Sequence, residues 1–389
     1  MENLKILVLG STGSIGKSTC NCVKRFREKF KVAGLAAGSN LELLCKQIEE
    51  FSPQAVYIAE PIKASVLREK YGKKLKVYEG AEGLEALVEE TEYDILLNAL
   101  VGAVGFRPTV KALQRNKRVA LANKESLVMG GDFINTILKG GKGSLLPVDS
   151  EHSAILQCLP NLGGHHPVES MILTASGGPF KNLPIEEFKN ISVEQALNHP
   201  TWSMGKKITI DSSTMMNKGF EVIEAHHLFS IPYSKLRVCI HPQSIIHSLV
   251  EFHDGAVMAQ LGLPDMELPI QYALSYPERY PIAGKRLSLP EIGQLEFFEP
   301  DLEKFPCLKL CLEAGELGGT APAIVNAANE VAVELFLAKK IAYTEISQIV
   351  AQALRNQEVV AANSIHSIEK ADKETRETIL SDYLQGCKK

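Results

Sequence analysis

The stretch Lys5-Ile-Leu-Val-Leu-Gly10-Ser-Thr-Gly13-Ser-Ile-Gly16-Lys-Ser-Thr19 decides the fold of the amino-terminal part of the chain. A short apolar strand leads into a glycine-rich turn, which opens a helix. Glycines let the backbone approach a pyrophosphate, and the free N–H groups of the new helix bind it. The stretch is not a P-loop, because the four-residue spacer before the Gly-Lys pair is missing. It predicts a dinucleotide site, with a tight βα turn that binds no ligand as the alternative.

Short apolar runs then alternate with amphipathic stretches, which is typical of strands separated by helices. This rhythm predicts an α/β fold with an N-terminal doubly wound, Rossmann-type parallel sheet. We expect its further strands at residues 32–37, 55–59, 75–78, 95–99, 119–122 and 144–148.

The second predicted strand ends in Gly38-Ser39-Asn40, with no acidic residue. A cofactor with a free ribose 2′-hydroxyl requires a carboxylate at this place. Ser39 and Asn40 can instead donate hydrogen bonds to a 2′-phosphate, so we expect NADP(H) rather than NAD(H).

Three later strand ends carry polar residues at the edge where ligands bind in such sheets, the first being Asn98-Ala-Leu-Val-Gly102. Asn123-Lys124-Glu125 follows one of them, where the alternative is that Lys124 and Glu125 are only an ordinary charged pair at the start of a helix.

Asp149-Ser150-Glu151 follows another of these strand ends. Residues two apart in an extended segment project to one side, so we expect both carboxylates to converge on a cation. Oxygen ligands favour Mg²⁺ or Mn²⁺, and the alternative is a solvated loop.

The middle of the chain offers a second group of polar side chains. Alternation predicts a strand at residues 207–211, and the Asp, Ser and Thr residues that follow predict N-caps of a helix. On that helix we expect a buried stripe, and an opposite face that is either functional or simply solvated. The stripe comprises Met216, Gly219, Phe220, Ile223 and His227, and the opposite face comprises Asn217, Lys218, Glu221 and Glu224. Ser212, Asn217 and Lys218 suit a phosphate monoester, and Glu221 can supply a third carboxylate.

Ser176-Gly-Gly-Pro-Phe180 is a hydroxyl among glycines after a strand, which suits an anion-binding turn. The polar segment beyond it ends at residues 198–205 and holds the only Trp, Trp202. We expect a closing lid there, with a core anchor as the alternative. The pattern of residues 241–247 predicts a strand. His247 either orients a substrate or is a core histidine whose ring nitrogens are hydrogen-bonded within the protein. The doublets His165-His166 and His226-His227 are not assigned to a metal.

Composition limits the class of protein. A chain of 389 residues predicts two or three domains, and the net charge of −4 gives no basis for nucleic-acid binding. No apolar run reaches the roughly 20 residues of a membrane span. The eight cysteines lack zinc spacing and predict reduced thiols of a cytosolic protein.

Seven of these motifs, taken in order, closely resemble the 1-deoxy-D-xylulose 5-phosphate reductoisomerase family; they are residues 10–16, 123–125, 148–153, 176–180, 199–205, 211–219 and 241–247. The resemblance implies rearrangement and reduction of that phosphorylated sugar to 2-C-methyl-D-erythritol 4-phosphate, with NADPH and Mg²⁺ or Mn²⁺. It also implies a place in isoprenoid synthesis independent of mevalonate, and a homodimer.

By the same resemblance, the metal ligands match Asp149, Glu151 and Glu221, which we expect to be catalytic. For proton transfer, our candidates are Lys124 and a metal-bound water. The substrate contacts match Ser150, Glu151, Ser176, His199, Trp202, Ser212, Asn217, Lys218 and Glu221. The cofactor contacts match Thr12, Gly13, Ser14, Ile15, Gly38, Ser39, Asn40, Asn123, Lys124, Glu125 and Gly205. Trp202 and Met204 fall in the mobile lid.

We therefore expect an NADPH-binding domain at residues 1–149 and a catalytic domain at 150–275 with its lid at 176–206. A linker at 276–302 and a helical bundle at 303–389 follow. Two other functions remain open from the residues: an NADP-dependent semialdehyde dehydrogenase, which needs an activated cysteine, and a nucleotide-sensing protein without chemistry.

Overall fold

The computed structural model describes residues 3–159, 167–202 and 204–386, so His165, His166 and Ser203 lie outside the described residues. The chain forms two compact units. The first unit comprises Met1–Ser126, Ile134–Ser153 and Asp265–Ala283, and the second comprises Leu127–Phe133, Ala154–Pro264 and Gly284–Lys389.

The strands are β1 (Leu4–Leu9), β2 (Phe30–Ala37), β3 (Ala55–Ile58), β4 (Lys76–Glu79), β5 (Ile95–Asn98), β6 (Arg118–Leu121), β7 (Ser144–Pro147), β8 (Val168–Ala175), β9 (Leu236–Ile240), β10 (Ile246–Phe252) and β11 (Val257–Leu261). The helices are α1 (Ser14–Arg25), α2 (Leu41–Phe51), α3 (Pro61–Tyr71), α4 (Gly80–Glu90), α5 (Phe106–Gln114), α6 (Lys124–Gly140), α7 (Ser150–Cys158), α8 (Val193–Ala196), α9 (Lys206–Ser213), α10 (Met216–Phe229), α11 (Glu267–Ser275), α12 (Leu289–Ile292), α13 (Pro306–Leu317), α14 (Ala321–Leu337), α15 (Tyr343–Asn356) and α16 (Ile365–Gly386).

The first unit is built on a seven-stranded sheet in the order β4-β3-β2-β1-β5-β6-β7. Every pair of neighbouring strands is parallel. Leu9 is in register with Ala36 and Asn98, so neighbouring strands end at one edge. The predicted Rossmann-type sheet is confirmed, and its carboxyl edge gathers the chain segments that follow β1, β2, β5, β6 and β7.

The sheet reverses its winding between β1 and β5, which is where ligands bind in open α/β sheets. Gly10 follows β1 with φ of +77°, and a Cβ on it would lie 2.4 Å from the Ala99 oxygen after β5. A Cβ on Gly16 would lie 2.2 Å from the Gly10 oxygen. Both positions therefore need glycine, one for the turn at the reversal point and one for the close approach of α1 to it.

Helix α11 also belongs to the first unit, although it is distant in sequence. Glu267 at its start forms an ion pair with Arg25 on α1. The Tyr280 ring, just beyond α11, lies 5.1 Å from that of Phe26. The three-domain division drawn from the sequence stays a prediction.

The second unit combines a four-stranded mixed sheet, in the order β11-β10-β8-β9, with a helical part. Strand β8 is antiparallel to β10 and parallel to β9. Its largest apolar core gathers α10 with α13, α14 and α15, and includes the buried Phe220, Cys311, Val325 and Ile346. Helices α13, α14, α15 and α16 lie within residues 303–389, where the sequence predicted a helical bundle.

Four local predictions are wrong. Residues 207–211 belong to helix α9, so Asp211 and Ser212 end one helix and do not cap the next. Met215, in the left-handed conformation, stands at the N-cap of α10. Glu151 lies in the first turn of α7 and not in an extended segment. Residues 241–247 are not one strand, since β9 ends at Ile240, β10 begins at Ile246, and Ser244 has φ of +51° between them.

Within the described residues, no helix is both long enough and apolar enough to cross a membrane.

Candidate functional site

The glycine-rich turn presents an open helix start. Gly13 is the N-cap of α1 and supplies no side-chain cap, and the first turn holds no acidic residue. Thr12 and Ile15 are half-buried beside it, whereas Gly13 and Ser14 are exposed. The first N–H groups of α1 and the positive end of its dipole are thus available to an anion, as a pyrophosphate site requires.

Two asparagines that were assigned to the cofactor act as helix caps. The Asn40 side chain accepts a hydrogen bond from the Leu43 N–H at the start of α2, at 3.1 Å. The fully buried Asn123 accepts from the Ser126 N–H, and its Nδ2 lies 3.0 Å from the Leu100 oxygen and 2.9 Å from that of Gly102. Asn123 therefore fixes the loop after β5 against the start of α6, which places Lys124.

Lys124 and Asp149 form a buried ion pair at the carboxyl edge of β6 and β7. Lys124 Nζ lies 2.6 Å from Asp149 Oδ2, and the side chains are 7% and 10% exposed. His152 Nδ1 lies 3.2 Å from the other Asp149 oxygen. Burial alone would raise the pKa of Asp149, but Lys124 and His152 hold that pKa well below its usual range. Asp149 is an anion at neutral pH, and Lys124 is its partner, which the sequence did not predict.

Residues beside Asp149 add a hydroxyl group and a second carboxylate to the same place. Ser150 Oγ donates a hydrogen bond of 2.7 Å to Glu151 Oε2. The Glu151 N–H donates to Asp149 Oδ1 at 3.2 Å, which ties the start of α7 to the strand end. The carboxylates of Asp149 and Glu151 thus stay close together although the backbone is helical.

In the second unit, Ser176 after β8 and His199 form a hydrogen-bonded pair, with Oγ and Nε2 3.1 Å apart. The His199 Nδ1 accepts from the N–H groups of Thr201, at 3.1 Å, and Trp202, at 2.9 Å. Because Nδ1 is an acceptor, the neutral ring carries its proton on Nε2 and donates it to Ser176. Burial lowers the pKa of His199, which favours this neutral form.

The turn that carries Ser176 packs on the end of α9. Gly177 and Gly178 have φ of +83° and +66°. A Cβ on Gly178 would lie 2.8 Å from the Ser212 oxygen, so glycine allows the two segments to touch. The Gly178 N–H donates to Ser176 Oγ at 3.2 Å. The structure therefore places the turn that carries Ser176 against the end of α9, which carries Ser212.

The polar face of α10 is buried, so the alternative of a solvated face is wrong. Lys218 is 4% exposed and Glu221 is 1% exposed. Asn217 Nδ2 donates to Glu221 Oε1 at 2.5 Å, and Lys218 Nζ pairs with Glu221 Oε2. Burying an ammonium group and a carboxylate costs desolvation free energy, even when the two groups are paired. Glu221 lies in the second unit, while Asp149 and Glu151 lie in the first, so their shared cation stays a prediction.

The sequence gave no role to Asn329, which the structure pairs with Asp211, the residue before Ser212. Asn329 Nδ2 donates a hydrogen bond of 2.8 Å to Asp211 Oδ1, and Lys207 Nζ lies 3.0 Å from Oδ2. Tyr343 Oη donates to the Ser213 oxygen at 2.7 Å. The end of α9 is thus anchored from α14 and α15. The sequence contained one signal for this anchor: a polar asparagine within the apolar, alanine-rich stretch that forms α14, since a buried amide needs a hydrogen-bond partner.

Trp202 is half-buried, and its ring lies 6.4 Å from that of the buried His247. Met204 is also half-buried, and Gly205 is the exposed N-cap of α9. The lid at residues 176–206 stays a prediction.

Comparison with known proteins covers nearly the whole chain. A family model described as 1-deoxy-D-xylulose 5-phosphate reductoisomerase matches residues 6–131, and models of the C-terminal domains of the same family match 145–229 and 261–378. The 1-deoxy-D-xylulose 5-phosphate reductoisomerase of Caldanaerobacter subterraneus subsp. tengcongensis is 50% identical over 382 residues, which covers 98% of this chain and 100% of that protein.

Two solved structures are similar over the same length. A DOX-P reductoisomerase in complex with NADPH, fosmidomycin and magnesium is 40% identical, with a TM-score of 0.94 over 98% of each chain. The enzyme from Zymomonas mobilis in complex with NADPH is 38% identical, with a TM-score of 0.91 over 98% of this chain and 99% of that one.

A parallel sheet that reverses beside a glycine-rich turn, with the buried Lys124–Asp149 pair at its carboxyl edge, is the architecture of a Rossmann-type dinucleotide-binding protein. Sequence identity over nearly the full length then decides the family. This chain belongs to the 1-deoxy-D-xylulose 5-phosphate reductoisomerase family, and the resemblance noted in the motifs is confirmed.

Proposed function

We propose that this chain converts 1-deoxy-D-xylulose 5-phosphate to 2-C-methyl-D-erythritol 4-phosphate, with NADPH as reductant and Mg²⁺ or Mn²⁺ as the metal ion. The observation that carries the proposal is the 50% identity over 98% of the chain to a reductoisomerase. The reaction belongs to isoprenoid precursor synthesis by the non-mevalonate route. The enzyme acts as a cytoplasmic homodimer.

Asp149, Glu151 and Glu221 hold the divalent ion. The ligand chemistry fits, because all three side chains are carboxylates, which suit a hard cation, and that of Glu221 is buried. When bound, the ion supplies Lewis-acid polarisation of the ketone and the neighbouring hydroxyl of the substrate. Ser150 adds a hydroxyl beside these ligands and contacts the substrate.

Ser176, Ser212, Asn217 and Lys218 bind the substrate phosphate, and His199 orients Ser176 through its Nε2–H. Lys218 supplies the cation and the serines supply hydroxyl donors, which is how proteins recognise a phosphate monoester. The phosphate is remote from the reacting carbons. Its binding energy therefore orients the substrate and favours closure of the segment with Trp202 and Met204 over it.

Residues at the carboxyl edge of the first sheet would hold NADPH, which would supply a hydride when bound. Thr12, Gly13, Ser14 and Ile15 bind its pyrophosphate at the open start of α1, and Gly38, Ser39 and Asn40 bind its adenosine half. The segment Asn123-Lys124-Glu125 and Gly205 complete the cofactor contacts. Lys124, held by Asp149, delivers the proton that the reduced carbonyl oxygen requires, so hydride and proton are both accounted for.

Neither alternative function fits as well. A semialdehyde dehydrogenase needs a reactive thiolate, but burial raises the pKa of Cys20, Cys22 and Cys307 to about 12 and raises that of Cys239 and Cys311 as well. A nucleotide sensor would have no use for the buried Lys218–Glu221 pair in the second unit.

The test is the oxidation of NADPH on addition of 1-deoxy-D-xylulose 5-phosphate, followed by absorbance. We expect oxidation with Mg²⁺ or Mn²⁺ and none with a chelator. Tight NADPH binding without metal-dependent oxidation would instead support a sensor, and loss of activity on thiol alkylation would support a dehydrogenase.

A further inference from the structure

The end of β2 is the place where a dinucleotide-binding sheet meets the adenosine ribose. Gly38, Ser39 and Asn40 follow β2 and are exposed. They contain neither the acidic residue that favours a free 2′-hydroxyl nor a basic residue for a 2′-phosphate. Hydroxyl and amide groups alone leave the charge of a phosphate dianion without a cation.

Lys63, from the neighbouring element, reaches this place. Strand β3 pairs with β2, with Ala37 opposite Ile58, and α3 follows β3 directly. Lys63 on α3 donates a hydrogen bond of 2.8 Å from Nζ to the Ser39 oxygen. In addition, a backbone hydrogen bond from the Ala59 N–H to the Gly38 oxygen, at 3.1 Å, holds the ends of β2 and β3 together. The ammonium therefore lies against the turn that follows β2.

The Lys63 ammonium has capacity for one more acceptor. It carries three N–H donors, of which one serves Ser39 and one serves Glu60 Oε1 at 2.7 Å. The side chain is 30% exposed, so the remaining donor can reach a ligand at the surface. Glu42, in the first turn of α2, is paired with Lys46 at 2.6 Å.

We propose that Lys63 is the residue that selects NADPH over NADH, by contacting the 2′-phosphate of the cofactor beside Ser39 and Asn40. The inference rests on the proposed function, since it presumes that a dinucleotide occupies this edge. Glu60 holds Lys63 in place but also repels a phosphate. Lys63 thus favours NADPH over NADH, and Glu60 reduces this preference.

The experiment measures dissociation constants of NADPH and NADH by nicotinamide fluorescence, without substrate, on the full chain and its Lys63→Gln variant. Losing one charge-assisted hydrogen bond at a partly exposed site should weaken NADPH binding about tenfold. NADH binding should change less than about twofold, because no 2′-phosphate is present. Added salt should reduce the difference in NADPH dissociation constant between the wild type and the variant, because it screens the charge interaction.

Lys46→Gln is the matched control, because it removes the same charge from an exposed ion pair on α2. It should leave the ratio of the two constants unchanged. Equal weakening of NADPH and NADH by Lys63→Gln, or an equal effect of Lys46→Gln, overturns the inference. Lys63→Arg should restore the preference for NADPH.

Glu60→Gln tests the same point without removing Lys63, and it should tighten NADPH binding while leaving NADH unchanged. If Lys63→Gln does not fold, an unchanged ratio in Glu60→Gln overturns the inference. Failure of the proposed function would look different, because the wild-type chain would then show no metal-dependent oxidation of NADPH with the sugar phosphate.

Discussion

Asn329 donates a hydrogen bond of 2.8 Å to Asp211 in the interior of the second unit, where Asn329 is fully buried and Asp211 is 2% exposed. Asp211 directly precedes Ser212, which we assign to the substrate phosphate. A residue on α14 therefore determines where α9 presents that serine.

Replacing Asn329 by Asp should damage substrate binding more than cofactor binding. Two carboxylates would face each other at hydrogen-bond distance, so the end of α9 would shift. We expect KM for the sugar phosphate to rise about tenfold while the NADPH dissociation constant stays within about twofold. Steady-state kinetics and fluorescence titration measure the two effects.

Asn326→Ala is the control for this prediction. Asn326 lies on the same helix, is equally buried, and donates to Glu330 at 3.2 Å. It should lower stability without changing KM, because α9 is not its partner. An equal rise in KM in both variants would show that α14 acts only by general packing.

Glu221→Gln should remove most turnover, because it keeps the shape of the side chain and removes the anionic ligand. Loss of one metal ligand should lower kcat roughly 100-fold or more. NADPH binding should remain, since the glycine-rich turn is untouched. The measurement compares the rate at saturating Mg²⁺ with the NADPH dissociation constant.

Glu251→Gln serves as its control, because this glutamate accepts a hydrogen bond from Ser170 within the second sheet and has no assigned role in catalysis. Normal metal-dependent turnover in Glu221→Gln would remove Glu221 from the set of ligands.

His199 should make the Trp202 segment sensitive to acid. The folded-state pKa of His199 lies below the ordinary value, so its neutral form stabilises the fold above that value and this contribution is lost as pH falls through the lower pKa. Protonation of Nδ1 would remove the acceptor for Thr201 and Trp202. We expect a fluorescence change of Trp202, the only tryptophan, with its midpoint below about pH 6.5.

His199→Asn should abolish this transition, because the amide oxygen keeps an acceptor near the Nδ1 position but does not titrate. His253→Asn should retain it, since His253 is exposed and pairs with Glu169. Identical acid titrations of wild type and His199→Asn would contradict the assignment.

Gly10→Ala should destabilise the first unit. The residue has φ of +77°, and its Cβ would overlap the Ala99 oxygen at 2.4 Å. We expect the free energy of unfolding to fall by about 2–4 kcal/mol. Gly140→Ala, at an exposed helix end where no atom lies within 4 Å of the new Cβ, should change it by less than about 0.5 kcal/mol. Urea unfolding followed by circular dichroism compares them, and equal losses would refute the steric argument.

Much of the first unit follows from local pattern. Short apolar runs, separated by amphipathic stretches, predicted all seven strands of the parallel sheet within a few residues. The prediction for residues 207–211 failed because Lys-Ile-Thr-Ile-Asp alternates like a strand, whereas the segment packs on α10 and α14 as a helix. There the Lys207–Asp211 pair, four residues apart, supports the helix.

The sequence by itself determined the Rossmann-type sheet, the glycine-rich turn and the family, because these depend on residues close together in the chain and on motifs in a fixed order. Only the tertiary structure decided the partners of the charged side chains: Lys124 for Asp149, Asn329 for Asp211 and Lys63 for the Ser39 carbonyl. These partners lie between 24 and 118 positions apart, and no periodicity links them. Each pairing forms because packing removes water from polar groups, which must then find one another.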